Sequence, residues 1–389
     1  MATRTARRGM VVYDLLNDVW EDLLVHPSGE VERRRCASPG GFPEWTWIPG
    51  LIDIQINGVG DVDFNREDLT PEAVRWAVEA LLRRGVTRCC PTVITGPPDR
   101  IEAILRVLAR ACEEDDTVRQ AVLGIHLEGP YLSEEDGPRG AHAREWIRDP
   151  DWREFERWQA ASGRRIRVMT VAPERQGMPD FIEKATASGV TVALGHHAAD
   201  DAQINAAVQA GARLVTHFGN GAHPVLPRHP NYLWTQLAHP ALWLSVIGDG
   251  VHLPATVLQV VFRQKPHRTL LVSDLIADPR VSEGNEWQAI GQRVTVDRRR
   301  VSLRESPQLL AGSRTLLSDA VALTGAMIGD RLAAVEAATL TPAALLGLSR
   351  DELMRDGVVC RWEPQGLTVK WVIRDHRLVY QHAADAPPD

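Results

Sequence analysis

The chain has 389 residues, 44% of them hydrophobic and 24% charged, and a formal net charge of −7. That length suits one barrel of about 250 residues with a smaller companion, and the composition is that of an ordinary globular protein. The acidic balance disfavours a general nucleic-acid binder. No apolar run reaches the ~18 residues needed to span a bilayer, and Asp14, Asp18, Glu21 and Asp22 follow the basic start where an export signal would be apolar.

In chain order, Met10–Val12 reads as a short β-strand. From Trp47 onward, apolar runs alternate with amphipathic stretches. The candidate strands are Trp47–Gln55, Val86–Ile94, Ala121–Glu128, Arg165–Val171, Val190–Gly195, Arg213–His217, Trp243–Gly248 and Arg268–Asp274. Each is short and nearly all apolar, as for parallel strands buried on both faces. Helical patterns cover Pro71–Arg84, Pro98–Glu113, Asp200–Ala210 and Pro254–Arg263, and Thr70-Pro71 is a helix-start signal. Val294–Leu303 reads as a hairpin. Val358–Trp362, Leu367–Ile373 and Leu378–Gln381 read as short strands, and the tail from His382 as disordered. The expected architecture is α/β. A (β/α)8 TIM-like barrel spans residues 48–350, and residues 1–47 and 351–389 form a small β domain from both chain ends.

Polar residues interrupt the predicted strands at their C-terminal ends, which form the active face of such a barrel. These are Gln55 and Asn57, His126 and Glu128, His196 and His197, His217, Asp249 and His252, and Asp274. A single histidine at a strand end is more often a hydrogen-bonded structural residue than a ligand. Several polar ends converging on one face are harder to explain, because burying them unpaired costs several kcal/mol. Glu128, His196 and His217 offer one carboxylate and two imidazoles, a set suited to one divalent metal, zinc first, with iron or another transition metal as alternatives. Asp274 can move a proton between water and a leaving amine; its other reading is a group that orients a ligand histidine. Strand four holds no lysine that could bridge two metals, and strand one offers neutral Gln55 and Asn57 where a two-metal site needs a histidine pair. One metal is therefore expected, with Gln55 orienting water or a ligand. The five cysteines show no CxxC spacing and read as reduced, which points to the cytoplasm.

At these residues the sequence resembles the N-acetylglucosamine-6-phosphate deacetylases of the amidohydrolase superfamily. The likeness is carried by Pro49–Gly58, by His126-Leu127-Glu128-Gly129-Pro130-Tyr131-Leu132, and by Gly140-Ala141-His142. It continues in Ala172-Pro173-Glu174, Gly195-His196, Thr216-His217 with Asn220, Asp249–His252, Val272-Ser273-Asp274 and Leu310–Ser313. The resemblance implies removal of acetate from a phosphorylated amino sugar. It places metal on Glu128, His196 and His217, acid–base work on Asp274, and His142 beside the acyl group. It gives phosphate contacts to Asn220, the Gly221 backbone, Arg228 and His252, and implies a homodimer in which Arg228 or His252 serves the neighbouring subunit. Arginine suits phosphate by its forked donors, although one arginine among many on a surface is the plainer reading of Arg228. The chain departs from the family pattern at Gly219, Gly221–His223, His197 and Leu275–Pro279, all around the expected substrate. Two alternatives therefore stand beside the main reading. One is a related amidohydrolase acting on another N-acyl sugar; the other is a non-catalytic barrel that binds an amino-sugar phosphate.

Overall fold

The computed structural model describes residues 8–276, 286–289, 292–296, 300–307 and 309–382. Eight parallel strands follow one another in chain order: Leu51–Ile56, Val86–Ile94, Ile125–Glu128, Ile166–Val171, Thr191–Leu194, Leu214–Val215, Trp243–Ile247 and Thr269–Val272. The ring closes where the Asp274 amide donates to the Gln55 carbonyl at 2.9 Å. This is the expected (β/α)8 barrel. Its strands are buried at nearly every position because one face fills the interior and the other lies under helices. Ile52, Ile54, Val168, Leu270 and Val272 fill the inside together with Leu345 and Leu346. Those leucines lie at the strand starts, where Ile52 N donates to the Ala338 carbonyl and the Arg167 guanidinium to the Leu346 carbonyl. The opposite end, with the strand C-termini, is left for the loops.

Local chemistry sets the element boundaries. Helix Pro71–Arg83 starts at Thr70, whose hydroxyl accepts from Ala73 N, with proline in its first turn. Helix Asp201–Gln209 carries a reciprocal capping box between Asp200 and Gln203. Strand three is shorter than expected. Asp115 caps a short helix at Asp116–Ala121, so extended pairing in the main ladder starts at Ile125. Strand six is also shorter: only Leu214–Val215 pair, because His217 turns into a left-handed conformation and its amide donates to Ser245 Oγ. Helices at Trp152–Ala161, Met178–Ala187 and Tyr232–Ala238 were not anticipated; Asp151 caps the first and Asn231 the last.

The predicted strand Trp47–Gln55 is two strands broken at Gly50. Thr46–Pro49 joins a seven-stranded sheet built from both chain ends, and Leu51–Ile56 opens the barrel. A Cβ on Gly50 would fall 2.1 Å from Thr87 Oγ1, so the crossing needs glycine. The terminal sheet contains Arg8–Asp14, Val19–Val25, Val31–Cys36, Gly357–Glu363, Gly366–Arg374 and Arg377–Gln381 around Thr46–Pro49. The second and third of these were not expected. Its two edges touch, since Val31 N donates to the His376 carbonyl and Leu378 N to the Gly29 carbonyl, each at 2.8 Å.

The expected hairpin is real: Gln292–Val296 pairs with Val301–Leu303 and, on its other side, with Glu286–Ala289. Val294, Val296 and Val301 pack on Ile276 and Ala311, beside the strand-eight end. Of the divergent stretch Leu275–Pro279, only Leu275 and Ile276 lie within the described residues; the tail beyond His382 lies outside them.

Candidate metal centre and substrate cavity

Three strand ends bring Glu128, His196 and His217 together. Glu128 Oε1 lies 3.2 Å from His196 Nε2 and 3.0 Å from His217 Nε2, and the two nitrogens are 3.0 Å apart. All three residues are buried. His196 Nδ1 donates to the Pro138 carbonyl at 2.8 Å, which leaves the Nε2 lone pair of the neutral ring facing the cluster. Two imidazole nitrogens facing each other beside a carboxylate cannot all be satisfied by protons, whereas one cation accepts a lone pair from each. The residues therefore fit the expected metal. Burial pushes the Glu128 carboxyl up, but hydrogen bonds and charge from His196 and His217 outweigh it and hold the group well below the usual carboxylate range. His217 moves the opposite way. Burial lowers its pKa, and Glu128 and Asp274 more than restore it, giving a net rise.

Backbone strain marks the two histidines, and Asp274 with them. His196, His217 and Asp274 adopt φ of 52°, 29° and 48°, a region costly to residues bearing a Cβ. Each sits where its strand leaves the ladder, so the turn that ends pairing also swings the side chain over the barrel mouth. Such strain costs of order 1–3 kcal/mol per residue and persists where surrounding contacts enforce it. Two of those contacts are glycines. Gly140 and Gly221, both left-handed, lie against the His196 ring: a Cβ on Gly221 would fall 2.5 Å from Nδ1, and one on Gly140 3.1 Å from Cε1.

Asp274 is buried, and its Oδ1 accepts from Asn57 Nδ2 at 2.8 Å. Burial pushes its carboxyl up to about 6, with the His217 charge opposing and Glu128 adding. Gln55 donates to Glu128 Oε1 at 3.1 Å, so it orients that carboxylate. His142 packs edge-on against His196 with ring centroids 4.4 Å apart, and burial pushes it down to about 3, so the ring is neutral near pH 7. His126 serves as a strut. Its Nδ1 meets the Ile54 carbonyl at 3.1 Å and its Nε2 meets Thr170 Oγ1 at 2.7 Å, and Thr170 continues to Thr216 Oγ1 at 2.6 Å. That chain spans the barrel directly beneath the cluster. Above it lies a cavity of about 620 Å³, lined by Glu128, His142, His196, His217 and Asp274 and roofed by the loops after strands three and six.

No protein-family model matches the chain. The N-acetylglucosamine-6-phosphate deacetylase of Rattus norvegicus is 34% identical over 319 residues, which cover 78% of this chain and 75% of the rat protein. The chain belongs to the N-acetylglucosamine-6-phosphate deacetylase family. An N-acetylgalactosamine-6-phosphate deacetylase of Shewanella is 30% identical over 345 residues, 86% of this chain and 84% of that protein. Among solved structures, the N-acetyl-D-glucosamine-6-phosphate deacetylase of Mycobacterium smegmatis superposes with a TM-score of 0.82 at 27% identity, covering 95% of this chain and 99% of that one.

In this member of the deacetylase family, Asn220 and Gly221 line the cavity. Arg228 does not: it lies exposed on the loop after strand six, away from the cavity lining. His252 is also outside that lining, its Nδ1 held by Asp249 Oδ2 at 2.7 Å. Two of the divergent residues, His197 and His223, meet on Tyr232. The His197 ring packs on Tyr232 at 5.2 Å and bonds Gln236. The Tyr232 hydroxyl takes the His223 amide proton at 2.8 Å and meets His223 Nδ1 at 3.1 Å. His223 Nε2 in turn reaches Glu135 Oε2 at 3.0 Å. Hence Tyr232 donates to Nδ1 and the ring donates from Nε2, and the two roof loops are buckled together. Arg139 also lines the cavity and went unrecognised in the sequence. Its only sequence signal was its place directly before Gly140-Ala141-His142.

Proposed function

We propose that the protein hydrolyses the acetyl amide of N-acetylglucosamine 6-phosphate, giving glucosamine 6-phosphate and acetate. The observation that carries this reading is the convergence of Glu128, His196, His217 and Asp274 on the floor of one cavity, in a chain of the deacetylase family. A binding module has no use for a buried, strained proton carrier beside a ligand set. Glu128, His196 and His217 would hold one divalent cation, which supplies Lewis acidity toward water and an acyl carbonyl. Zinc suits one carboxylate with two imidazoles, and elemental analysis of purified protein decides between it and iron.

The chain's own residues do the rest. Asp274, held by Asn57 and poised near neutrality, takes a proton from the attacking water as the new C–O bond forms. It delivers that proton to the sugar nitrogen as the C–N bond breaks. Neutral His142 donates a hydrogen bond to the acyl oxygen as charge develops there. Asn220 and the Gly221 backbone hold the sugar phosphate from the loop after strand six. Acetate release from N-acetylglucosamine 6-phosphate, its galactosamine epimer and the unphosphorylated sugars tests the assignment. Asp274→Asn is expected to lower kcat by at least about 100-fold while metal content stays near wild type. Wild-type turnover in that variant would remove the role given to Asp274.

A homodimer is proposed on the exposed loop that carries Arg228 and the helix that follows it, where Val225 is 84% and Trp234 55% exposed. A monomer by light scattering at working concentration would refute it. A cytoplasmic location is proposed because Cys89, Cys90, Cys112 and Cys360 are buried, unpaired thiols. Recovery of the native protein in an exported fraction would refute that.

A further inference from the structure

We propose that Arg139 is the residue by which this chain discriminates an anionic substrate from a neutral one. The proposal rests on the hydrolase reading above and adds a residue that the family likeness does not assign. Among the described residues lining the cavity, Arg139 is the only arginine or lysine. The other charged groups there are the carboxylates Glu128, Asp136 and Asp274. With a divalent cation on the three-residue cluster, Glu128 and Asp274 are offset at the floor; at the roof Arg139 is offset only by Asp136, a carboxylate that is 82% exposed to water. A phosphate ester entering this space meets one permanent positive charge contributed by this chain.

The Arg139 side chain is built into the site. One terminal nitrogen donates to the His142 carbonyl at 3.0 Å, which ties the guanidinium to the loop that presents His142. The other donates to Asp136 Oδ1 at 2.6 Å. Its Nε is buried without a hydrogen-bond partner. A guanidinium has five N–H donors, so two bonds leave donors to spare, Nε among them. Asp136 is 82% exposed while Arg139 is 23% exposed, so their ion pair is half in water and weak. A phosphate dianion carries more charge than one carboxylate and accepts two parallel N–H bonds from guanidinium. It can displace Asp136 or share the guanidinium with it. The loop order adds a geometric consequence. Arg139 and His142 are three residues apart and joined through the His142 carbonyl, so a phosphate on Arg139 would register the acyl group against His142.

The test compares Arg139→Gln, Arg139→Lys and Arg228→Ala with the wild-type holoenzyme. One measurement is kcat/KM for acetate release from N-acetylglucosamine 6-phosphate and from N-acetylglucosamine. The other is calorimetric binding of glucosamine 6-phosphate, which needs no turnover. In Arg139→Gln the ratio of the two kcat/KM values is expected to fall about 10- to 100-fold, chiefly through KM, with a parallel loss of binding. Arg139→Lys should recover part of both, because it keeps the charge and loses the fork. An unchanged ratio with unchanged binding in Arg139→Gln overturns the proposal, as does a fall confined to Arg228→Ala. Equal losses on both sugars would also overturn it, since they indicate a role confined to holding the His142 loop. Wild-type protein that binds the phosphate ester through Arg139 yet releases no acetate would uphold the anion site and overturn the hydrolase reading instead.

Discussion

Gly221→Ala tests whether the roof loop and the metal ligand are one mechanical unit. Gly221 has φ of +57°, and an added Cβ would lie 2.5 Å from His196 Nδ1 and 2.8 Å from Cε1. Two costs follow. Alanine in the left-handed region costs about 1–2 kcal/mol wherever it occurs. The contact adds a second cost, because no real Cβ sits at 2.5 Å: the ring must swing and stretch its 2.8 Å bond to the Pro138 carbonyl. A misaimed ligand nitrogen typically costs about 10- to 100-fold in metal affinity. Gly140→Ala is the graded case, with φ of +58° and its nearest contact at 3.1 Å, a gap that a few tenths of an ångström relieve. Gly347→Ala isolates the backbone cost, since φ is +75° and nothing lies within 4 Å. All three variants should melt earlier than wild type. Chelator competition should rank their metal affinities Gly347→Ala, then Gly140→Ala, then Gly221→Ala, with about 10- to 100-fold between the first and last. Gly221→Ala protein that holds metal as tightly as Gly347→Ala would refute the coupling.

Asn57→Ala removes a hydrogen bond that favours ionised Asp274, so the Asp274 pKa rises. Because the ionised form takes the proton, the acid limb of the kcat/KM profile should move to higher pH by about one unit or less, read from rates between pH 5 and 8. Asp53 is fully buried, with Oδ1 accepting from the Gln55 and Ser273 amides and Oδ2 unpartnered, and burial pushes its pKa up to about 7. Its folded value exceeds the unfolded one of about 3.9, so its contribution to stability is full below about pH 4 and is lost as pH rises through about 7. Asp53→Asn should therefore remove a decline on the order of 4 kcal/mol from the pH 4–8 stability profile, measured by denaturant unfolding. An unaltered profile would show that the carboxyl is already ionised without penalty.

The barrel was legible because its strands are apolar on both faces and their ends are polar. Glu128, His196, His217 and Asp274 could be picked out because such residues have no reason to end buried strands unless they share a task. The small sheet was only partly legible. Val19–Val25 and Val31–Cys36 carry Glu21, Asp22, Glu32 and Arg33–Arg35, so their pattern reads as charged loop. The register is rescued by long-range contacts: Arg33 lies over the Trp47 ring at 3.6 Å and bonds Asp14 and Glu21. Arg139 and the His223–Tyr232–Glu135 buckle were illegible for a similar reason. Their roles depend on two loops separated by about ninety residues meeting over the cavity, and no local pattern encodes that meeting. The strain at His196, His217 and Asp274 was hidden as well, since histidine and aspartate do not advertise a left-handed backbone as glycine does.

The strand that leads into the barrel, Thr46–Pro49, is clasped on one side by residues near the start of the chain and on the other by Gly357–Glu363. During synthesis that second side stays unmatched while roughly three hundred residues are added (357 − 49 = 308). The exposed ladder is apolar and extended, the kind of surface to which stray strands attach. Arrival of the C-terminal hairpin both completes the sheet and retires that hazard, so a ribosome stalled late would release a barrel with an open seam at its entrance.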